Sequence, residues 1–163
     1  MPDSQRRDAQ AQAPFRWPVR VYWEDTDAGG IVYHTAYLRF AERARTEMLR
    51  AAGIDQGRML GDTGVAFAVT RAEVDFRRPA VLDDALVVTA AITETGSASL
   101  RIAQTVWRGD QRLVDIAVRI ACVDRRGKPV RLPPPVRAVL TGDAQTQNDT
   151  RPTALDTPPP VLA

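Results

Sequence analysis

Cysteine and histidine are almost missing from this chain: Cys122 is the one cysteine, and His34 is the one histidine. A single cysteine excludes an intrachain disulfide, and one cysteine with one histidine cannot complete a tetrahedral zinc site. Cys122 stands in the apolar run 120–123, which favours a small core residue over a reactive thiol. The sequence therefore predicts neither a disulfide nor a metal centre.

Long apolar segments and an excess of one charge are missing too. No run of about 18 apolar residues could span a membrane, and no apolar segment follows the N-terminal charges as in a secretory signal, so we expect a cytoplasmic protein without a membrane span. The 22 basic and 20 acidic residues leave a net charge of +2, which argues against a nucleic-acid binder. With 163 residues, 44% of them apolar, the chain can form one globular domain.

Both ends of the chain lack the apolar periodicity of a folded element. Residues 1–14 are rich in Gln, Ala, Asp and Arg, and residues 142–163 are rich in Thr, Asp and Pro. Such segments bury too little apolar surface to offset the entropy lost on ordering. We expect a disordered lead-in at 1–14, one domain at 15–141 and a disordered proline-rich tail at 142–163.

The first half of the domain predicts one strand and one long helix. Apolar and polar residues alternate from Phe15 to Trp23, which predicts a strand, and Pro18 favours a position at the edge of a sheet. Apolar residues then recur at spacings of three and four from Tyr37 to Ala52, which is one face of a helix. Gly53 follows where a helix often ends on a left-handed residue.

The second half predicts about four antiparallel strands. The alternation slips near residues 70–71, which predicts a β-bulge, and Gly109-Asp110 predicts a tight hairpin turn. The apolar run 85–93 predicts a strand buried on both faces. One helix packed on one curved antiparallel sheet is an α+β arrangement, and because a single helix cannot cover both faces, we expect pairing with a second subunit.

The stretch 23–34 combines three carboxylates, two adjacent glycines and the only histidine, directly before the predicted helix. Asp25, Asp27 and Gly30 fit a calcium loop, but its twelfth position is Ala36 where a bidentate Glu is needed. A phosphate-binding loop is excluded because Gly-Lys-Ser/Thr is missing and carboxylates would repel the phosphate.

Acyl transfer is the third interpretation of this stretch. A carboxylate can attack a carbonyl or take a proton from an attacking water, and N–H groups at a helix N-terminus stabilise the resulting oxyanion. Asp27 lies seven residues before His34, and Gly29 and Gly30 allow the backbone to approach a substrate closely. Spacing alone leaves two alternatives open, namely an ordinary acidic turn and, for His34, a helix cap.

Residues 15–34, together with Tyr37 and residues 42–50, closely resemble the tol-pal-associated acyl-CoA thioesterases, which belong with the 4-hydroxybenzoyl-CoA thioesterase group of hotdog-fold proteins. The similarity covers roughly residues 15–140, and Glu-Asp-Thr-Asp-Ala-Gly-Gly is its most specific part. The resemblance implies a hotdog fold, in which a curved antiparallel sheet of about five strands wraps a long central helix. It also implies a homodimer or homotetramer with active sites at the subunit interface, and no cofactor.

The resemblance assigns roles to four residues of the stretch. Asp27 matches the catalytic general base or nucleophile, and the backbone N–H of His34 matches the group that polarises the thioester carbonyl. Gly30 is a substrate-binding candidate, since it lets the backbone approach the substrate. Trp23 stands where related enzymes often carry Tyr; we expect it to shape the acyl pocket and favour short chains, the alternative being a buried strand aromatic.

The function implied by the resemblance is hydrolysis of acyl-CoA thioesters, of short chain, to the free acid and CoA. The alternative is a hotdog scaffold that binds acyl carrier protein or phospholipid-synthesis enzymes with little turnover. Guanidinium groups bind phosphate well, so five basic residues could contact the CoA phosphates, although solvated turn charges are the simpler interpretation; they are Arg77, Arg78, Arg125, Arg126 and Lys128.

Overall fold

One antiparallel sheet and one long helix make up most of the structure, a computed structural model that describes residues 13–142. The predicted lead-in and tail lie almost entirely outside these residues. The elements are β1 (Phe15–Arg20), a 3₁₀ turn (Trp23–Asp25), α1 (Ala36–Ala51), α2 (Gln56–Thr63), β2 (Ala66–Phe76), β3 (Ala85–Thr95), β4 (Ser99–Arg108), β5 (Gln111–Val123) and α3 (Pro134–Thr141). The five strands form one sheet in the order β1-β3-β4-β5-β2, and the predicted α+β class is confirmed.

The first strand is shorter than predicted. β1 ends at Arg20, and Trp23 lies in the 3₁₀ turn instead of at the end of the strand. The turn forms because the carboxylate of Asp25 accepts a hydrogen bond from the backbone N–H of Tyr22 at 3.0 Å, which bends the chain away from the sheet. Pro18 does lie in an edge strand, because β1 pairs with β3 at one margin of the sheet.

Helix α1 packs its small-residue face on the sheet, and Ala36, Ala41 and Ala44 are fully buried there. A polar contact adds to this packing: the buried Arg45 donates to the side-chain carbonyl of Gln104 on β4 at 3.0 Å. The amide of Gln104 in turn donates to the backbone carbonyl of Ala41 at 2.8 Å. These contacts hold α1 in one position on the sheet, and thereby hold its N-terminus as well.

Burial lowers the pKa of the Arg45 guanidinium, and the adjacent Glu42 carboxylate, to which Arg45 also donates, opposes that effect. Arg45 therefore stays paired inside the protein. Gly53, just after α1, has a φ of 85°, so the predicted left-handed helix end is confirmed.

The strands after α1 follow the predicted pattern in most respects. The register of β2 against β5 shifts between Val69 and Arg71, which confirms the bulge, and Gly109-Asp110 connects β4 to β5. Alternate residues of β5 are buried, among them Cys122, whose thiol pKa is raised by burial.

The prediction for β3 is wrong in one respect. Leu86, Val88 and Ala90 are buried toward the helix, whereas the residues between them are only half-buried. The outer face of the sheet has no covering helix among residues 13–142, so β3 is buried on one face in the single chain. The expected pairing with a second subunit stays a prediction. No helix in this part of the chain is long and apolar enough to cross a membrane.

Candidate active site

The acidic loop is closed by a buried carboxylate, Asp25, whose side chain is only 2% exposed. Its two oxygens accept hydrogen bonds from the Tyr22 N–H at 3.0 Å and from the Arg39 guanidinium at 3.3 Å. Its backbone carbonyl accepts a third from the N–H of Tyr33 at 2.8 Å. Asp25 thus ties the start of the loop to its end and has a structural role.

Asp27 has a different environment, because it is exposed at the tip of a tight turn. Its backbone N–H donates to the carbonyl of Ile31, and its own carbonyl accepts from Gly30, both at 3.0 Å. One carboxylate oxygen accepts the Gly29 N–H at 2.8 Å, and the other accepts no hydrogen bond from residues 13–142. Gly30, with a φ of 77°, supplies the left-handed conformation that the turn needs. The Asp27 carboxylate is therefore oriented by one bond and free to act through its second oxygen.

The N-terminus of α1 lies directly behind this turn. Thr35 is the residue before the helix, and its side chain forms no capping hydrogen bond. Within the described part of the chain, the backbone N–H groups of His34, Thr35 and Tyr37 donate to no oxygen. Unpaired N–H groups and the positive end of the helix dipole form a ready site for an anionic oxygen. The ring of His34 packs against the ring of Tyr33, with 4.3 Å between the two ring centroids, and forms no hydrogen bond to Asp27.

Asp27 and His34 face a common cavity of about 330 Å³. The structure therefore brings the two predicted catalytic residues together. The other walls of the cavity come from the loop, from the first turn of α1 and from the end of β2. They are apolar except for two arginines, and the residues are Ile31, Val32, Tyr37, Phe76, Arg77, Arg78 and Pro79. Apolar walls beside a carboxylate and unpaired N–H groups suit a ligand that has an apolar part and a polarised oxygen.

Two predicted substrate-binding residues, Trp23 and Gly30, do not line this cavity. Trp23 is 79% exposed, so the alternative of a buried strand aromatic is wrong. Its proposed contact with substrate stays a prediction, and so does that of Gly30.

Sequence reasoning missed Tyr37 and Phe76 as walls of the site. Tyr37 was predicted as part of the apolar face of the helix and belongs to the part of the sequence that resembles the thioesterases, but without a role in the site, and Phe76 was not singled out. The two rings pack edge to face with their centroids 5.9 Å apart. The similarity of roughly residues 15–140 to the thioesterase group includes both residues but does not point to this wall.

The two arginines of the wall differ in their partners. Arg77 pairs with Asp115 at 2.5 Å, whereas Arg78 forms no ion pair among residues 13–142. Burial alone would raise the pKa of Asp115, but hydrogen bonds from Arg112, Arg77 and Thr105 hold it below its usual value.

No three carboxylate, thiol or imidazole groups of residues 13–142 lie close enough together to hold a metal ion.

A family model described as the thioesterase superfamily matches residues 29–114, a segment that includes His34 and begins two residues after Asp27. The chain belongs to the thioesterase superfamily. The resemblance inferred from the sequence is confirmed at this level, and with it the expectation of a thioester hydrolase.

Close relatives extend the match over most of the domain. The acyl-CoA thioesterase YbgC of Haemophilus influenzae is 44% identical over 77% of this chain and 93% of the relative. The acyl-CoA thioester hydrolase YbgC of Escherichia coli O6:H1 is 46% identical over 73% of this chain and 90% of the relative.

A solved structure supports the fold. The probable thioesterase from Bartonella henselae is 36% identical, with a TM-score of 0.71 over 74% of this chain and 100% of that chain. The hotdog architecture is thereby confirmed, whereas association with tol-pal proteins stays a prediction.

Proposed function

We propose that this thioesterase-superfamily protein hydrolyses short-chain acyl-CoA thioesters to the free acid and CoA. The observation that carries the proposal is the common cavity of the Asp27 carboxylate and the unpaired N–H of His34. An acyl carbonyl beside the N-terminus of α1 would place its oxygen toward the N–H groups and its carbon toward Asp27.

The reaction follows from these two groups. Hydrogen bonding to the backbone N–H of His34 and the helix dipole make the thioester carbonyl more electrophilic and stabilise the tetrahedral oxyanion. As general base, Asp27 takes a proton from the attacking water while the water oxygen bonds to the carbonyl carbon. When the C–S bond breaks, the electron pair leaves with sulfur and the proton on Asp27 passes to the thiolate. As nucleophile, Asp27 would bond to the carbonyl carbon and expel CoA as the thiolate, leaving an acyl anhydride. Water would then cleave the anhydride to the free acid and protonated Asp27, whose proton passes to the thiolate.

Cavity size supports a preference for short acyl groups. About 330 Å³ is at the small end of ligand pockets, and the side chain of Phe76 limits it on one side. Trp23 and Gly30 lie in the same loop, outside the cavity, where we propose that they contact the substrate near its entrance. A homodimer or homotetramer, acyl carrier protein as an alternative acyl donor, and a cytoplasmic location belong to the same proposal.

Thiol release from a series of acyl-CoAs of increasing chain length tests the proposal. We expect kcat/KM to be highest for short acyl groups and to fall as the chain outgrows the cavity. The same acyl groups on acyl carrier protein and on CoA distinguish the two donors. If no thioester of either kind is hydrolysed, the proposal is wrong, and retained binding of acyl carrier protein would then favour the scaffold alternative.

A further inference from the structure

Tyr37 brings a buried phenol to the wall of the same cavity. It belongs to the first turn of α1, three residues after His34, and is only 2% exposed. Helical side chains lean toward the N-terminus of their helix, so the phenol leans toward the end that carries the unpaired N–H groups. Its ring is held between Phe40 and Phe76, at centroid distances of 6.1 Å and 5.9 Å. The hydroxyl is therefore held in one place by packing on both sides.

The hydroxyl of Tyr37 accepts one hydrogen bond but donates none to residues 13–142. The phenol oxygen accepts a hydrogen bond from the backbone N–H of Ala80 at 2.8 Å. A phenol can also donate one, yet the O–H of Tyr37 finds no acceptor among residues 13–142. A buried donor without an acceptor is unfavourable, so an acceptor supplied from the cavity would stabilise it.

Ala80 also fixes where this oxygen lies relative to the loop. Its N–H holds Tyr37, and its carbonyl accepts the N–H of Val32 at 2.9 Å. Val32 precedes His34 by two residues. The Tyr37 hydroxyl and the loop backbone two residues before His34 are thus both hydrogen-bonded to Ala80.

The phenol stays protonated at neutral pH. Burial raises the pKa of Tyr37, and the Ala80 N–H lowers it by a smaller amount. The charged groups Arg108 and Asp84 act on it in opposite directions and pair with each other at 2.7 Å. Asp27, His34, Arg77 and Arg78 are the other titratable or charged groups of the cavity.

We propose that the hydroxyl of Tyr37 is a second hydrogen-bond donor to the carbonyl oxygen of the thioester, acting beside the backbone N–H of His34. Oxyanion sites gain from paired donors that are fixed before the reaction, since no reorganisation is then needed as charge develops on oxygen. This inference rests on the proposed function. It assigns a catalytic role to a residue whose spacing in the sequence predicts only a core position.

Replacing Tyr37 by Phe tests this role. Loss of one oxyanion donor typically lowers kcat about 10²–10³-fold, and we expect a loss of that size for Tyr37→Phe with little change in KM. The matched control is Tyr33→Phe, which removes the exposed phenol that lies four residues earlier and does not line the cavity; we expect its kcat to be unchanged. An unchanged kcat in folded Tyr37→Phe would overturn the proposal.

Tyr37→Phe also leaves the Ala80 N–H without its acceptor, so folding has to be separated from catalysis. A ring-fluorinated tyrosine placed at position 37 keeps the ring and the acceptor oxygen but ionises at lower pH. We expect its kcat to fall as pH rises through the pKa of the fluorinated phenol, because the donor proton is then lost, while the unaltered protein shows no such fall. Identical pH profiles for the two proteins would overturn the proposal.

Asp27→Asn separates this inference from the proposed function. If the unaltered protein hydrolyses thioesters and Asp27→Asn does not, the proposed function stands, and the Tyr37 variants then decide the donor role alone. If the unaltered protein hydrolyses no thioester, the proposed function fails, and the donor role that rests on it fails too.

Discussion

A cavity adjoins each end of helix α1, but the chemical groups at the two ends differ. At the N-terminus, a cavity of about 330 Å³ is lined by Asp27, His34 and Tyr37, and the backbone N–H groups of His34 and Tyr37 donate to no oxygen within residues 13–142. At the C-terminus, a larger cavity of about 730 Å³ is lined by residues without a carboxylate, imidazole, guanidinium or ammonium group. There the last carbonyls of the helix accept hydrogen bonds: the N–H of Gly53 donates to the carbonyl of Arg50, and the N–H of Ile54 donates to the carbonyl of Leu49, both at 2.9 Å. We favour the smaller cavity despite its size, because an oxyanion is stabilised at the positive N-terminus of a helix and repelled at the C-terminus.

Within the N-terminal end, two aspartates two residues apart have opposite environments. Asp25 is buried and both of its oxygens are bonded, whereas Asp27 is exposed and keeps one oxygen free. Protonation of Asp25 would weaken the hydrogen bonds that hold the loop to Tyr22 and Arg39, whereas the carboxylate of Asp27 holds only the Gly29 N–H among residues 13–142. The difference supports the proposal that Asp25 stabilises the loop and that Asp27 carries the chemistry.

The largest expected effect is that of Asp27→Asn. The amide keeps the size of the side chain but cannot act as a base or nucleophile, so we expect kcat to fall about 10²–10⁴-fold. Since Asp27 is exposed and its carboxylate bonds only to the Gly29 N–H, the urea midpoint should stay close to that of the unaltered protein. Thiol release in the mutant at the original rate would remove Asp27 from the mechanism.

Gly29→Ala tests whether the orientation of Asp27 matters. A Cβ at this position would lie 3.0 Å from the carboxylate oxygen that Gly29 now binds, so the side chain has to shift. Full displacement of a catalytic group by about 1 Å can cost about 10²-fold, and we expect a loss of about tenfold in kcat. Activity equal to that of the unaltered protein would mean that Asp27 acts from more than one orientation.

Placing the same aromatic ring at each end of α1 compares the two cavities directly. Ile31→Phe narrows the cavity beside Asp27, and Met48→Phe narrows the larger one. We expect Ile31→Phe to lower kcat/KM several-fold for the longest acyl group accepted, because pocket contacts of one or two methylenes are worth about 1–3 kcal/mol. Met48→Phe should leave kcat/KM unchanged. The reverse result would move substrate binding to the other end of the helix.

Among the substitutions at Asp25, Asp27 and Gly29, the smallest effect on activity is expected for Asp25→Asn. Loss of charged hydrogen bonds to Tyr22 and Arg39 should lower the free energy of unfolding by about 1–3 kcal/mol, measured by urea denaturation. Thiol release assayed well below the unfolding transition should fall less than in Gly29→Ala. A protein as stable as the unaltered one but as inactive as Asp27→Asn would reverse the two assignments.

Local patterns predicted those parts of the molecule that local interactions determine. The period of α1, the bulge between Val69 and Arg71, and the tight turn at Gly109-Asp110 are all set by residues close in sequence, and all three predictions are confirmed. The proximity of Asp27 and His34 was predictable for the same reason, because a short turn and a helix start determine it.

Features that the alternation of apolar and polar residues does not encode were not predictable from the pattern. One of them is local: Trp23 leaves the strand because the side chain of Asp25 accepts a hydrogen bond from the Tyr22 N–H, three residues earlier. Others depend on residues far apart in the sequence. The far wall of the cavity comes from the end of β2, and the position of the Tyr37 hydroxyl depends on Ala80, 43 residues away. The apolar run 85–93 led us to expect burial of both faces of β3. Such a run does not show whether another layer of the protein covers the outer face, and in the single chain none does among residues 13–142.

The most direct test is a crystal structure with an acyl-CoA analogue in which a methylene group replaces the thioester sulfur, since such a ketone binds but is not hydrolysed. We expect its carbonyl oxygen within about 3 Å of the His34 N–H, with the carbonyl carbon beside the Asp27 carboxylate. An acyl group bound in the larger cavity at the C-terminal end of α1, or a carbonyl turned away from the N-terminus of the helix, would contradict the account.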